Sequence, residues 1–218
     1  ENLPRINGAF GEIIHVSEVD MIVEGKHKPL TVVTNPEPTS VDEMIARHIL
    51  PYISDGSVIQ LGIGGMPNSV GRLLADSDLK DLGMHTELCS DAYVYLSDAG
   101  KLTNKKKAVF PGKGLMGFAF GSERLYEWLT DTEQIMSAPL SYVNDPTIIA
   151  QMENMISINN CVAVDIYGQV SSESSGSRQL SGTGGQLDFI TGAAMAIGGK
   201  SFICMSSSYK DKQGNRHS

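Results

Sequence analysis

One glutamate and two glycine loops are the residues in this chain whose types and spacing could do chemistry. In Val58 to Asp91, VIQLGIGGMPNSVGRLLADSDLKDLGMHTELCSD, an apolar run leads into Gly62-Ile63-Gly64-Gly65-Met66-Pro67, and Glu87 stands near the end of the next such run. Glycines between a strand and a helix let backbone N–H groups approach an anion or an oxyanion, and the helix N-terminus adds a favourable dipole. The same residues also serve as a tight strand-to-helix turn with no ligand at all. The loop lacks the Gly-Lys-Ser/Thr of a Walker loop and departs from the GxGxxG dinucleotide fingerprint. A second loop of the same form, Gly182-Thr183-Gly184-Gly185, again precedes a helical pattern at Gln186 to Phe189.

A carboxylate at the C-terminal end of a strand serves as nucleophile, base or metal ligand, or is an idle surface acid. Glu173, in Ser171-Ser172-Glu173-Ser174-Ser175-Gly176, is the rival to Glu87; alone it reads equally as a polar turn residue or a cap. His15, His27, His48, His85 and His217 have no HxxH or HxxxH spacing and no cysteine partner, so no metal site is expected. His85 shares a strand face with Glu87 and is read as packing. Cys89 has no His or Asn signature around it and reads as a small buried apolar residue. Lys105-Lys106-Lys107 reads as a solvated loop edge that could attract a phosphate.

The elements that must position these residues alternate. Glu12 to Glu24 and Leu30 to Thr34 are rich in β-branched residues and read as strands, broken by Asn35-Pro36-Glu37-Pro38. Ser40 with Glu43 reads as a capping box, opening a helix with Met44, Ile45, His48 and Ile49 on one face. Ser57 to Leu61 reads as a strand, Pro67 opens a helix, and Gly83 to Leu88 is the next strand, a parallel βαβ unit. Helices are expected at Ala92 to Ala99, Ser122 to Thr130, after the Asp145-Pro146 cap, and at Leu187 to Ile197. Further strands are expected at Lys107 to Phe110, Leu115 to Phe120, Gln134 to Ser137 and Ser201 to Met205. Met155 to Asp165 and Gln169 to Ser172 read as a hairpin around Tyr167-Gly168. The sum is an α/β fold: an open mixed, mostly parallel sheet with helices on both faces.

Composition narrows the partners. The 218 residues carry 25 acidic and 17 basic side chains, a net charge of −8, which argues against nucleic acid as the main partner. Cysteines number three and lie far apart, so no disulfide framework is expected and a reducing cytoplasm fits. No apolar run approaches the roughly 18 to 20 residues of a membrane span, and the first residues do not read as a signal peptide. The chain opens on Glu1 and closes on a polar run directly after an apolar strand, which reads as a piece of a longer protein.

LGIGGMP, Glu87 in HTELCSD, YVNDP at 142 to 146, SGTGGQLDF at 181 to 189 and AMAIGGK at 194 to 200 occur in an order that resembles the family I CoA-transferases. The likeness is greatest to the branch holding 4-hydroxybutyrate and butyryl-CoA:acetate CoA-transferases and the acetyl-CoA hydrolase/transferase group. It implies that Glu87 is the nucleophile attacking an acyl-CoA thioester. It further implies that amides near Ile63 and Gly182 form the oxyanion hole, and that Gly62, Gly64, Gly65, Asn144, Gly184, Gly185 and Lys200 contact CoA or shape its loops. CoA is then a substrate, with no permanently bound cofactor and no metal, and the second substrate a short-chain carboxylate. Residues 1–38 would be linker and strands from the end of a preceding half, and 39–218 a C-terminal CoA-transferase domain truncated at its end. The missing half would supply much of the acyl pocket, so the isolated piece is expected to turn over poorly. Family membership also implies a homodimer or larger assembly, with neither nucleic acid nor membrane as partner. Hydrolysis of the same thioester is the alternative activity, and a non-catalytic ligand-binding α/β domain the alternative of another class.

Overall fold

Thr39, Ser122 and Asp145 each open a helix by offering a side-chain acceptor to its orphan N–H groups. A computed structural model describes residues 5–8, 10, 13–33, 37–130, 132–211 and 213–217. α1 (Ser40–Ile49) is capped by Thr39, whose hydroxyl accepts from the Asp42 N–H while the Asp42 carboxylate accepts from the Thr39 N–H. The capping box therefore lies one residue ahead of the expected Ser40 and Glu43. The buried face is correspondingly Ala46 and Ile49, with Met44 and His48 exposed. α2 (Gly65–Asp76) starts two residues before Pro67, and α3 (Asp91–Asp98) and α4 (Glu123–Leu129, capped by Ser122) lie close to expectation. α5 (Leu140–Val143) has no counterpart among the expected helices; α6 (Pro146–Ile149) follows its Asp145 cap, and α7 (Gln186–Met195) follows Gly185.

The main-sheet strands are β1 (Asn7–Gly8), β2 (Val58–Leu61), β3 (Gly83–Cys89), β4 (Gly114–Ala119), β5 (Ile135–Ser137) and β6 (Met155–Asn160). Short ribbon strands follow, β7 (Ala163–Val164), β8 (Val170–Ser171), β9 (Ser174–Ser175) and β10 (Arg178–Gln179), before the last main-sheet strand, β11 (Lys200–Cys204). The sheet order is β1-β5-β4-β3-β2-β6-β11 and every neighbouring pair in it is parallel. Antiparallel pairing is confined to the small ribbons, among them β7 with β8 and β9 with β10. The hairpin expected from Met155 onward is thus divided: β6 joins the parallel sheet, and only Ala163 to Ser171 turns back on itself.

From β2 the chain moves outward through β3, β4 and β5, then returns to place β6 on the other side of β2. The order reverses between β2 and β6, the kind of switch point where open parallel sheets leave a crevice at their C-terminal ends. Alternate strand residues enter two cores. Ile59, Leu61, Met84, Met116, Ile156 and Ile158 pack with α1 to α4, whereas Val58, Leu115 and Met155 pack with Val143, Ile149, Phe189 and Ala193 of α5 to α7. Burying one such side chain contributes about 1.5–3 kcal/mol, and covering both faces is what an all-parallel sheet requires.

Two expectations fail for physical reasons. Between 13 and 33 no strand forms; only a 3-10 turn at Val16–Glu18 is regular, and Ile14, Met21, Ile22 and Val23 are exposed. β-branched residues do not make a strand where no neighbour offers a ladder. Glu12, Thr34, Asn35 and Pro36 of that region lie outside the described residues. Lys107 to Phe110 is also not a strand. Phe110 takes φ +50, and Lys107, 2% exposed, turns inward to donate to the carbonyls of Met84 (2.8 Å) and Lys113 (2.6 Å). Lys105 and Lys106 are solvated, as a loop edge would be.

Candidate active site

The cleft at the switch point has a volume of about 380 Å³. Glu87 lines it, with Gly62 and Ile63 beyond the end of β2, Asn159 and Asn160 at the end of β6, and Gly182, Gly184 and Gly185 ahead of α7. In β3 the side chains of His85 and Glu87 point to the α7 side, and the His85 ring lies 5.9 Å from that of Phe189 on α7. Glu87 is held there by charge and geometry together. Its Oε2 accepts from the N–H of Gly185 at 2.7 Å, at the positive end of a ten-residue helix.

This contact explains one glycine directly. A Cβ on Gly185 would stand 2.5 Å from Glu87 Oε2 and also collide with the Asn144 side chain, so no larger residue permits the hydrogen bond. Gly64 and Gly184 take φ +119 and +59, values that favour glycine and that turn the two loops into the cleft. The N–H groups of Ile63 and Gly182 donate to no protein acceptor among the described residues. Both residues line the cleft, so two unengaged donors border the carboxylate.

The remaining predicted residues are distributed unevenly. Asn144 packs behind Gly185, with its Oδ1 buried and unpartnered among the described residues. Gly65 faces the Asp42 carboxylate of α1, not the cleft. Lys200 begins β11, at the N-terminal edge of the sheet opposite the cleft, and its ammonium donates to the Gly198 carbonyl at 3.1 Å. The structure therefore does not bring Lys200 to Glu87. A strand crosses the whole sheet, and the AMAIGGK motif enters it from the far edge.

Glu173 lines the same cleft. Its backbone carbonyl accepts from Leu180 (2.7 Å) and Ser181 (3.2 Å), joining the serine-rich ribbons to the second loop. Its carboxylate has no partner among the described residues, in contrast to that of Glu87. His85 is fully buried and held neutral: burial, and then the nearby Lys107 charge, pull its pKa down to about 3. Its Nε2 donates to the Val143 carbonyl at 2.7 Å, so it packs and does not serve Glu87 as a base. Cys89 is buried and its thiol is pushed far up by burial and by Asp91, which removes it as a nucleophile. Among the described residues no three His, Cys, Asp or Glu side chains gather as metal ligands, and no helix is long and apolar enough to cross a membrane.

Sequence reasoning missed the cleft floor. Gln60 Nε2 donates to Asn159 Oδ1 (3.0 Å), Asn159 Nδ2 donates to Gln60 Oε1 (3.0 Å) and to Ser157 Oγ (3.0 Å), and Ser157 Oγ donates to Gln60 Oε1 (2.7 Å). The available signal was a glutamine inside the apolar run VIQL and an asparagine pair closing MISINN.

Residues 121–218 match the acetyl-CoA hydrolase/transferase C-terminal domain family. The whole chain is 49% identical to the butyryl-CoA:acetate CoA-transferase of Anaerostipes caccae, covering 49% of that protein. The chain belongs to the CoA-transferase family. Among solved structures of such proteins, the 4-hydroxybutyrate CoA-transferase of Porphyromonas gingivalis superposes with a TM-score of 0.82 at 32% identity, over 98% of this chain and 49% of that one. RipA from Yersinia pestis superposes with a TM-score of 0.85 at 38% identity, over 97% and 46%. The chain thus spans about half the length of the relatives it matches.

Proposed function

We propose that the whole protein carrying this chain transfers CoA between a short-chain acyl-CoA and a carboxylate through a thioester on Glu87. The observation that carries the proposal is the Glu87 carboxylate fixed by the Gly185 N–H between two loops with free amides. In the first step a Glu87 oxygen attacks the thioester carbonyl, and the amides of Ile63 and Gly182 receive the oxyanion. Such donors are each commonly worth about 3–4 kcal/mol. CoA thiolate leaves, giving an acyl-glutamyl anhydride; it then attacks the glutamyl carbonyl, and the acyl group departs as its carboxylate. The glutamyl-CoA thioester runs the same steps in reverse with the second acid.

No general base is needed, since a carboxylate nucleophile, unlike a hydroxyl, needs no proton taken from it as it attacks. The neutral, inward-facing His85 agrees with this chemistry. CoA enters as a substrate and its bulk offers binding energy remote from the reacting carbon. Three free cysteines suit a reducing cytoplasm, and assembly as a homo-oligomer is part of the same reading. Because relatives are about twice as long, we place much of the acyl pocket outside this chain.

Mass spectrometry of the whole protein after incubation with acyl-CoA tests the proposal. CoA should be found attached at Glu87 and be lost in the Glu87→Gln variant; an adduct on Glu173 overturns the assignment. Acyl transfer to acetate, compared with free-thiol release without it, separates transfer from hydrolysis. Appreciable acyl transfer by the isolated 218 residues would show that the site is complete without further chain.

A further inference from the structure

The first glycine loop does not stand alone: the end of the adjacent strand grips it. β6 runs parallel to β2 with Leu61 opposite Ile158, and the Gly62 N–H continues the ladder by donating to the Ile158 carbonyl at 2.9 Å. The next two residues of β6, Asn159 and Asn160, occupy the space that Gly62 and Gly64 leave open. A Cβ on Gly62 would stand 2.9 Å from Asn159 Oδ1, and one on Gly64 would stand 3.1 Å from Asn160 Nδ2. Asn160 Nδ2 also donates to the Ile63 carbonyl at 3.3 Å.

A peptide unit is planar, so fixing the Ile63 carbonyl also fixes the Gly64 N–H on its opposite side. Gly64 has no Cβ to resist rotation, so that unit otherwise turns easily on its C-terminal side. We infer that Asn160 is a positioning residue for CoA transfer: by holding the Ile63–Gly64 peptide it restrains the backbone at Ile63, whose own N–H, in the adjoining Gly62–Ile63 peptide, is the first loop's donor to the oxyanion. Asn159 is its base, locked to Gln60 and Ser157 by the buried hydrogen bonds of the cleft floor. The inference rests on the reading of Glu87 as nucleophile and adds to it the element that keeps one half of the oxyanion hole aligned.

Two substitutions in the whole protein separate alignment from packing. Asn160→Asp keeps the shape but replaces the N–H donor with an oxygen that repels the Ile63 carbonyl; Asn160→Ala removes both donor and bulk. Alignment predicts that kcat falls in both, by about 100-fold for a donor misplaced by an ångström, and further in Asn160→Asp than in Asn160→Ala. KM for acyl-CoA and the unfolding midpoint should hardly change. Wild-type kcat in the Asp variant, a loss confined to the Ala variant, or a change in KM with kcat intact would each overturn the inference. Glu87→Gln is assayed alongside: turnover that survives it defeats the reading of the site, whereas lost turnover there with unaltered Asn160 variants defeats the positioning role alone.

Discussion

The two glycine loops border one cleft but are held in different ways. The first is fastened by the scaffold, through the ladder bond to Ile158, the asparagines of β6 and the polar floor beneath them. The second is exposed from Ser181 to Gly184, and a Cβ on Gly182 would meet nothing within 4 Å. What fixes its end is Glu87 itself, through the Gly185 N–H. The difference teaches that one set of amides is preorganised by the fold, while the other is aligned by the very carboxylate proposed to react. A bond to an ionised acceptor is roughly twice as strong as one between neutral groups, so acylation of Glu87 should loosen the second loop and leave the first unchanged.

The largest break comes from Glu87→Gln, which removes the proposed nucleophile yet keeps an oxygen able to accept from Gly185. Turnover and the CoA adduct should vanish while the unfolding midpoint stays near that of the wild type; a falling midpoint would mean that the charge also maintains the fold. Next, Gly185→Ala separates the loops. With an ordinary φ of −96 the backbone tolerates alanine, but the Cβ displaces Glu87 Oε2, and kcat should drop by about 100-fold with little loss of stability.

Gly62→Ala tests the scaffold side. Its Cβ presses on Asn159 Oδ1, which three hydrogen bonds prevent from moving, so chemical denaturation should show a loss of about 1–3 kcal/mol. A stability cost larger for Gly185→Ala than for Gly62→Ala would reverse the comparison. The smallest effect on the site comes from Lys107, beneath the strand between the loops. Burial lowers its pKa to about 7 from 10.5, so between those values the unfolded chain holds a proton that the folded chain lacks. Stability should therefore rise with pH across that window, with a slope approaching ~1.4 kcal/mol per pH unit. Urea unfolding from pH 7 to 10 should show the slope flattened in Lys107→Met; equal slopes would place the lysine's charge in water.

Much of the fold was legible because its signals are local. Ser122 before ERLYEWL, Asp145 before Pro146 and the apolar runs around Gly62 each announce an element within a few residues. Errors occurred where distant chain decides. The alternating residues of 13–33 lack a ladder partner, and Lys107 leaves its charged neighbours because the carbonyls of Met84 and Lys113 receive it. Lys200 shares a motif with glycines but enters its strand from the wrong edge.

By itself the sequence determined the chemical types and their local settings: a strand-end glutamate, loops that only glycine can turn, and helices beginning directly after them. Caps, turns and periodicity depend on neighbours a few residues apart, which sequence displays. Tertiary structure alone decided which glutamate is anchored, that the Gly185 amide is the anchor, and that Gln60, Ser157 and Asn159 join beneath the cleft. Those contacts bridge residues about a hundred positions apart, 98 between Glu87 and Gly185 and 99 between Gln60 and Asn159. They exist because the strand order reverses between β2 and β6, and a hydrogen bond at 2.7 Å depends on that placement, not on the residues' order.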